Sequence, residues 1–263
     1  MVRPYDSTTL FCPSGMQQYK SSFSDLSYSG DTIANIQSCI RMNDFDEIGD
    51  ASHLLYFNMI GLFSFRDKSV AWAIDFWMEF LTVRLGLKIG YVTLHQDTWP
   101  EWMAIYDKWS IIIKIDNDNC TWSDGNIGGY CTEFFIDDIE IGNIVNPLGT
   151  CIDVGFGLER LEMMVNGVQN KTKQEALIET IVKILESGYK PGAKQQGYVL
   201  RKLIRELYII GGNLDRTTYK SYFTAEIERQ VKIIEKYHRL KERFSHMPKE
   251  WWYDTHGINL DEI

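Results

Sequence analysis

The stretch CIDVGFGLERLEMM, residues 151–164, sets a carboxylate, two glycines and a guanidinium close together in the chain. Gly155 and Gly157 let backbone N–H groups approach an anion, and a helix starting just after them adds partial positive charge. Arg160, in the first turn of that helix, can place its guanidinium on phosphate oxygens. Asp153 can meet an ammonium group. This is chemistry for holding a polyphosphate beside an amine. A dinucleotide fingerprint is excluded, because a third glycine is wanted at 160 and the chain lacks a parallel βαβ setting. Taken alone, the stretch also fits a plain strand-to-helix turn with a solvated Glu-Arg pair.

The elements that must position these residues can be read from periodicity. Short β-rich runs, YVTLH at 91–95, SIIIKID at 110–116, TEFFID at 132–137 and IEIGNIV at 139–145, are separated by Gly, Asp and Asn turns. One amphipathic helix is predicted over 68–85, with Val70, Ala73, Ile74, Trp77, Phe80 and Leu81 on a single stripe. Strands so often adjacent, with few helices between them, favour an antiparallel sheet. After about residue 170 the character turns helical. Leu177, Ile178, Ile181 and Leu185 form one stripe, and Val199, Leu200, Leu203, Ile204 and Leu207 form another, ended by Gly211-Gly212. A long charged helix follows over 219–244. The polar segment NGVQNKTK marks a division into residues 1–168 and 169–263.

The 263 residues, 44% of them hydrophobic, can bury a real core. A net charge of −9 argues against nucleic acid, yet residues 194–244 hold twelve Lys and Arg against six Asp and Glu. Such a basic segment suits a phosphate partner and equally suits a solvated helix face. The five cysteines have no metal-site spacing, and neither do the five histidines, so no zinc is expected. With no signal peptide and no membrane-length apolar run, the expectation is a soluble, cytoplasmic protein with reduced thiols and no membrane partner.

Further matches are collinear with the opening stretch. GFGLER has the form of motif 3 of class II aminoacyl-tRNA synthetases, and the chain as a whole resembles the alanyl-tRNA synthetase family. DSTTLFCPSGMQQYKSSF (6–23) resembles the family's D-P-T-L-L-F-x-N-A-G-M-x-Q-F-K segment. QSCIR (37–41) and FNMIGLFSF (57–65) resemble its motif 2. WSDGNIGGYCTEFFID, IEIGNIV, QGYVLRKLIRE (196–206) and the terminal YDTHGINLDEI resemble further family segments. The resemblance implies an α+β fold: a class II synthetase-like antiparallel sheet flanked by helices, followed by an all-helical segment that reads the acceptor stem of a tRNA.

The same resemblance implies site roles. Arg41 would bridge the ATP α-phosphate and the amino-acid carboxylate, a task that suits a bidentate guanidinium. Phe57 would stack on adenine, with Arg160 on the ring's other face or on the γ-phosphate, and Gly155 and Gly157 beside it. Asp153 would hold the substrate ammonium. Met16, Trp122 and Val145 would wall a pocket small enough for alanine, with Gly155 as its floor. Glu133 and Asn143 would lie near ATP, Glu133 as the nominee for Mg²⁺. On the helical part, Gln195 and Asp254 would meet the acceptor stem, and Arg201, Lys202 and Arg205 would face phosphates.

The chain departs from the family pattern in places. No segment of the sequence resembles the family's motif 1 helix and strand, its editing domain or its C-terminal domain, and the expectation is a minimal homologue of open oligomeric state. After Arg41 the chain runs directly to MNDFDEIG where the family carries A-G-G-K-H-N-D, and Asn58 replaces a motif 2 glutamate. Three readings stay open at this point. One is an enzyme that forms an aminoacyl-adenylate from alanine or another small amino acid and charges tRNA. Another is a ligase using the same adenylate with a small molecule, amine or carrier protein as acceptor. The third is a degenerate paralogue that binds ATP, an amino acid or RNA.

Overall fold

Ile152, Val154 and Phe156 alternate with Asp153, Gly155 and Gly157, the pattern of a strand with one face in a core. The computed structural model, which describes residues 1–50, 52–260 and 263, places this segment inside an eight-stranded sheet. The strands are β1 (Gly30–Ile40), β2 (Tyr56–Phe65), β3 (Tyr91–Leu94), β4 (Ile112–Ile115), β5 (Thr121–Asp124), β6 (Ile127–Ile136), β7 (Ile139–Pro147) and β8 (Cys151–Gly157). Their spatial order is β1-β2-β8-β7-β6-β3-β4, with β5 paired to β6. The expected antiparallel sheet is present, and β3 with β4 is its parallel exception. The helix between those two strands carries the chain back to the same end, as a parallel pair requires.

Among the described residues of the first of two compact units, Met1–Ala176, four α-helices lie wholly within it: α1 (Lys20–Ser24), α2 (Val70–Glu79), α3 (Trp99–Asp107) and α4 (Leu158–Asn166). The predicted stripe of α2 is buried at Val70, Ala73, Ile74 and Trp77, and Trp77 stacks on Phe156 with ring centroids 4.4 Å apart. Phe80 is only half-buried, because the helix widens into a π turn over Phe80–Arg84. Ile152, Val154 and Phe156 thus fill the core beneath α2, which leaves Asp153, Gly155 and Gly157 for the opposite face. A register slip of one residue would drive Asp153 into that core, so the alternation fixes the register.

The helix α5 (Lys173–Glu186) contains the division between the units. The second unit, Leu177–Ile263, is helical and continues with α6 (Gln195–Ile209), α7 (Lys220–Phe244) and α8 (Lys249–His256). Leu200, Leu203, Ile204 and Leu207 of α6 are buried as their spacing predicts, and the chain turns away where Gly211 adopts φ +79°. Asp261 and Glu262, in the terminal motif, lie outside the described residues. No helix among the described residues is long and apolar enough to cross a membrane.

Candidate functional site

The sheet face opposite α2 carries a transverse row of small and polar residues. Register aligns Asn35, Gly61, Gly155, Asn143, Glu133 and Thr93 across six neighbouring strands. Gly61 and Gly155 are direct partners, so the row dips at its middle into a trough. A Cβ added at Gly155 would lie 3.1 Å from Met59 Sδ, and one at Gly61 would lie 2.4 Å from the Phe63 ring.

The two glycines of the opening motif act differently from the sequence expectation. They form no anion-cradling loop, because both lie within β8. Gly155 has β2 on one side and β7 on the other, so its backbone groups belong to the ladder. Their contribution is to leave side-chain space empty. The helix α4 does start at Leu158, with Arg160 in its first turn as predicted.

Two adjoining cavities open over this trough. The smaller, about 80 Å³, is lined by Arg41, Phe57, Asn143, Gly155, Gly157 and Arg160 among others. The larger, about 640 Å³, is lined by Met16, Arg41, Trp122, Val145, Asp153 and Gly155 among others. Every residue expected at ATP or the amino acid is therefore in one wall or both, except Glu133. Arg41, Asp44, Met59, Asn143 and Gly155 belong to both walls.

Local contacts hold the charged groups in place. Arg41 follows the end of β1, and its Nε donates to the Pro13 carbonyl at 3.0 Å. Arg160 Nη1 donates to the Glu140 carbonyl at 2.7 Å and to its carboxylate at 3.2 Å, and Nε donates to the Ser52 carbonyl at 3.3 Å. Motifs 2 and 3 are tied directly: the Glu159 carboxylate accepts the Asn58 backbone N–H at 2.9 Å and its side-chain amide at 2.8 Å. An asparagine at 58 can donate where a glutamate would repel.

Burial decides the titration of the carboxylates. Asp153 is 8% exposed, and desolvation pushes its pKa up to about 7 against the opposing pull of the Arg41 charge. Glu133 is also pushed up to about 7, by desolvation and then by the nearby Glu140 charge. Desolvation raises Asp44 as well, opposed mainly by Arg41.

Glu133 does not fit the metal role the resemblance gave it. It lines neither cavity, and its carboxylate accepts from Thr93 Oγ1 at 3.3 Å. No group of three His, Cys, Asp or Glu side chains able to hold a metal occurs among the described residues. A magnesium ion taking most of its oxygens from phosphates and water would need fewer protein ligands, but no residue here is assigned to it.

Met59, Glu140 and Asp44 are among the wall residues missed by the sequence reading. Met59 lies two positions after Phe57 on β2, so alternation alone could have placed it. Glu140 carried a signal in its place within IEIGNIV. Asp44 carried none, since it sits in the segment where the family pattern breaks.

The residues expected at RNA lie in the second unit and are not all available. Gln195 and Lys202 are exposed on α6, and Asp254 is exposed on α8. Arg205 is 9% exposed and donates to Glu226 of α7 at 3.1 Å. Arg201 donates to the same carboxylate at 3.2 Å and to the Gly192 carbonyl at 3.2 Å. The expected phosphate-facing row is corrected here: positions 201 and 205, one helical turn apart, point at a buried anion. Glu226 is itself 3% exposed and also accepts from Arg229, which together hold its carboxyl below the usual range despite burial.

Comparison with known proteins adds context to this geometry. The family profile described as tRNA synthetases class II (A) matches residues 1–177. The alanine–tRNA ligase of Buchnera aphidicola subsp. Baizongia pistaciae is 28% identical over 80% of this chain and 33% of its own length. That of Wolbachia pipientis wMel is 27% identical over 89% of this chain and 36% of its own. The chain thus spans about a third of the length of the curated relatives it matches. Among solved structures, apo S. aureus histidyl-tRNA synthetase aligns with TM-score 0.41 and 11% identity, over 77% of this chain and 70% of that one.

Proposed function

The chain belongs to the class II (A) tRNA synthetase family, and from that premise we propose that it activates alanine or another small amino acid with ATP. The product is an aminoacyl-adenylate, with pyrophosphate released, and the acyl group then passes to a tRNA acceptor end. The observation that carries this reading is the convergence of Arg41 and Arg160 on one cavity with Phe57, continuous through Arg41 with a second cavity that holds Asp153.

The chemistry needs positioning and charge neutralisation, not a nucleophilic side chain. The amino-acid carboxylate attacks the α-phosphorus while pyrophosphate leaves. Arg41, in both walls, neutralises carboxylate and α-phosphate as they approach, and Arg160 takes charge on the departing side. Phe57 offers its ring to adenine. Asp153 takes the ammonium, whose charge stabilises the ionised carboxylate and lowers its pKa. Met16, Trp122 and Val145 limit the side chain, though a methylene of extra room discriminates by only about 1–3 kcal/mol. Mg²⁺ would enter with the nucleotide and supply charge stabilisation at the phosphates. In this reading residues 1–168 carry activation, residues 169–263 face the acceptor through Gln195, Lys202 and Asp254, and the setting is the cytoplasm.

The test is ATP–pyrophosphate exchange across a panel of amino acids. Exchange with alanine or glycine, above that with larger amino acids, supports the reading. No exchange with any amino acid overturns it in favour of a binding paralogue.

A second reading changes only the acceptor, to an amine, small molecule or carrier protein. The neutralisation of Arg201 and Arg205 by Glu226 favours it, because it removes two cations from a phosphate-binding face. Labelled amino acid appearing in acid-precipitable tRNA would reject it.

A further inference from the structure

Behind the wall of the larger cavity lies a pair of thiols that the activation chemistry does not use. Cys120 sits one residue before β5, whose pairing with β6 runs Thr121↔Tyr130, so Cys120 falls opposite Cys131. The Cys131 N–H donates to the Cys120 carbonyl at 3.0 Å, which confirms the opposition. Residues facing each other across a hydrogen-bonded antiparallel pair have Cα atoms about 5.5 Å apart, inside the 4.4–6.8 Å that a disulfide spans. The two side chains share one buried cluster with Val145, and Trp122 packs against it. The Cys120 thiol donates to Thr93 Oγ1 at 3.2 Å and the Cys131 thiol to the Asn119 carbonyl at 3.3 Å. Both are free thiols.

We propose that Cys120 and Cys131 are a redox-modification site: a peroxide converts them to a disulfide that shifts Trp122 and Val145 and so weakens amino-acid binding in the adjoining cavity. The consequence for binding rests on the function proposed above; formation of the bond does not.

The chemistry balances with one hydroperoxide. The Cys120 thiolate attacks an oxygen of hydrogen peroxide, the O–O bond breaks, a sulfenic acid forms, and the leaving hydroxide takes the proton released by the Cys120 thiol to become one water. The Cys131 sulfur then attacks the sulfenic sulfur. An S–S bond forms, the S–O bond breaks, and the leaving hydroxide takes the Cys131 proton as a second water. Two thiols lose two electrons and one peroxide gains them. The assignment of roles follows the local hydrogen bonds. Cys120 is lowered from its ordinary pKa, mainly by the Cys131 thiol and then by Thr93, while the Cys131 thiol is raised by Cys120 and by burial. The more acidic thiol is the attacking one.

The bond would be felt in the cavity because Cys120 immediately precedes β5 and lies two residues before Trp122 on it. An S–S bond of about 2.05 Å takes the Cys120 sulfur away from Thr93 and the Cys131 sulfur away from the Asn119 carbonyl, and β5 moves with Cys120. Val145 is the direct register partner of Cys131 on β7. Two residues of the expected side-chain wall therefore touch the pair.

The sequence supplies a clean assay. No Lys or Arg occurs between Ile115 and Arg160, so trypsin releases residues 115–160 as one peptide holding Cys120, Cys131 and Cys151. The native chain is treated with hydrogen peroxide, denatured, alkylated with iodoacetamide and digested. The expected product carries one alkyl group and is lighter by two hydrogens; a peptide that still takes three overturns the proposal. In Cys131→Ser the second step is blocked, and dimedone should label Cys120 as a trapped sulfenic acid. Absence of that label also overturns it. In the exchange assay, peroxide should raise the KM for the amino acid about tenfold to a hundredfold, as displacement on the ångström scale does, with recovery in dithiothreitol and no effect in Cys120→Ser. An unchanged KM with the disulfide present removes the link to the cavity. A reduced chain that shows no exchange at all counts against the proposed function alone, since the peptide map still decides whether the bond forms.

Discussion

The guanidinium of Arg41 lies 5.2 Å from the centroid of the Phe57 ring, across the antiparallel pair that joins β1 to β2. The aromatic face and the Pro13 carbonyl fix the cation from two sides before any substrate arrives. Preorganisation of this kind is what a charge-stabilising group needs, because reorientation during the reaction would cost activation energy.

Arg41 therefore should not tolerate lysine. An ammonium keeps the charge but loses the planar fork and the Nε donor to Pro13. Arg41→Lys and Arg41→Ala are both expected to lower kcat/KM for exchange about 10²-fold or more, with the melting temperature changed little. Lysine restoring near-full activity would refute the bidentate role.

Asp153 should trade stability for binding. Its folded-state pKa stands near 7 against an ordinary 3.8, so the fold binds this proton more tightly than the unfolded chain does. Its contribution to stability is greatest below about pH 4, falls as pH rises toward 7, and is level above that. Asp153→Asn should then melt higher than the parent, by a gap that widens from pH 5 to pH 8 and reaches at least about 3 °C. The same variant should lose amino-acid binding, while the parent's affinity for the amino acid climbs between pH 6 and 8. A melting gap independent of pH would exclude a buried ionising carboxyl as its source.

The trough should be sensitive to a single methyl. In Gly155→Ala the new Cβ would press on Met59 Sδ at 3.1 Å and stand in both cavities. Overpacking there is expected to cost about 1–3 kcal/mol, read from chemical denaturation. Adding Met59→Ala should relieve the crowding at the thioether but leave exchange impaired. If the double variant recovers activity, the glycine matters for packing only.

Glu226 should be indispensable to its own unit. Removing the carboxylate in Glu226→Ala leaves Arg201, Arg205 and Arg229 without their shared anion, a loss of about 3–5 kcal/mol for a buried pair broken on one side. Thermal unfolding of the whole chain measures it. A change under about 1 kcal/mol would mean that solvent already screens the cluster.

Much of this arrangement was legible in the sequence, for physical reasons. The helical period placed Val70, Ala73, Ile74 and Trp77 under one roof. Nearly all residues named for the two substrates line two neighbouring cavities, because the motifs lie on strands whose register brings them together. What escaped was set by long-range pairing. Nothing in the spacing of Cys120 and Cys131 reveals that they face each other where β5 pairs with β6. Charge composition could not distinguish a solvated Arg205 from one buried against an anion contributed by α7. Gly-x-Gly before a helix reads as a loop until strands are known to flank it.

Five residues, Arg41, Asp44, Met59, Asn143 and Gly155, are common property of the two cavities. Whatever fills one chamber therefore alters the boundary of the other. Such shared walls make the two binding equilibria thermodynamically linked, and the linkage is reciprocal: the factor by which nucleotide changes the apparent dissociation constant of the amino acid equals the factor in the reverse direction.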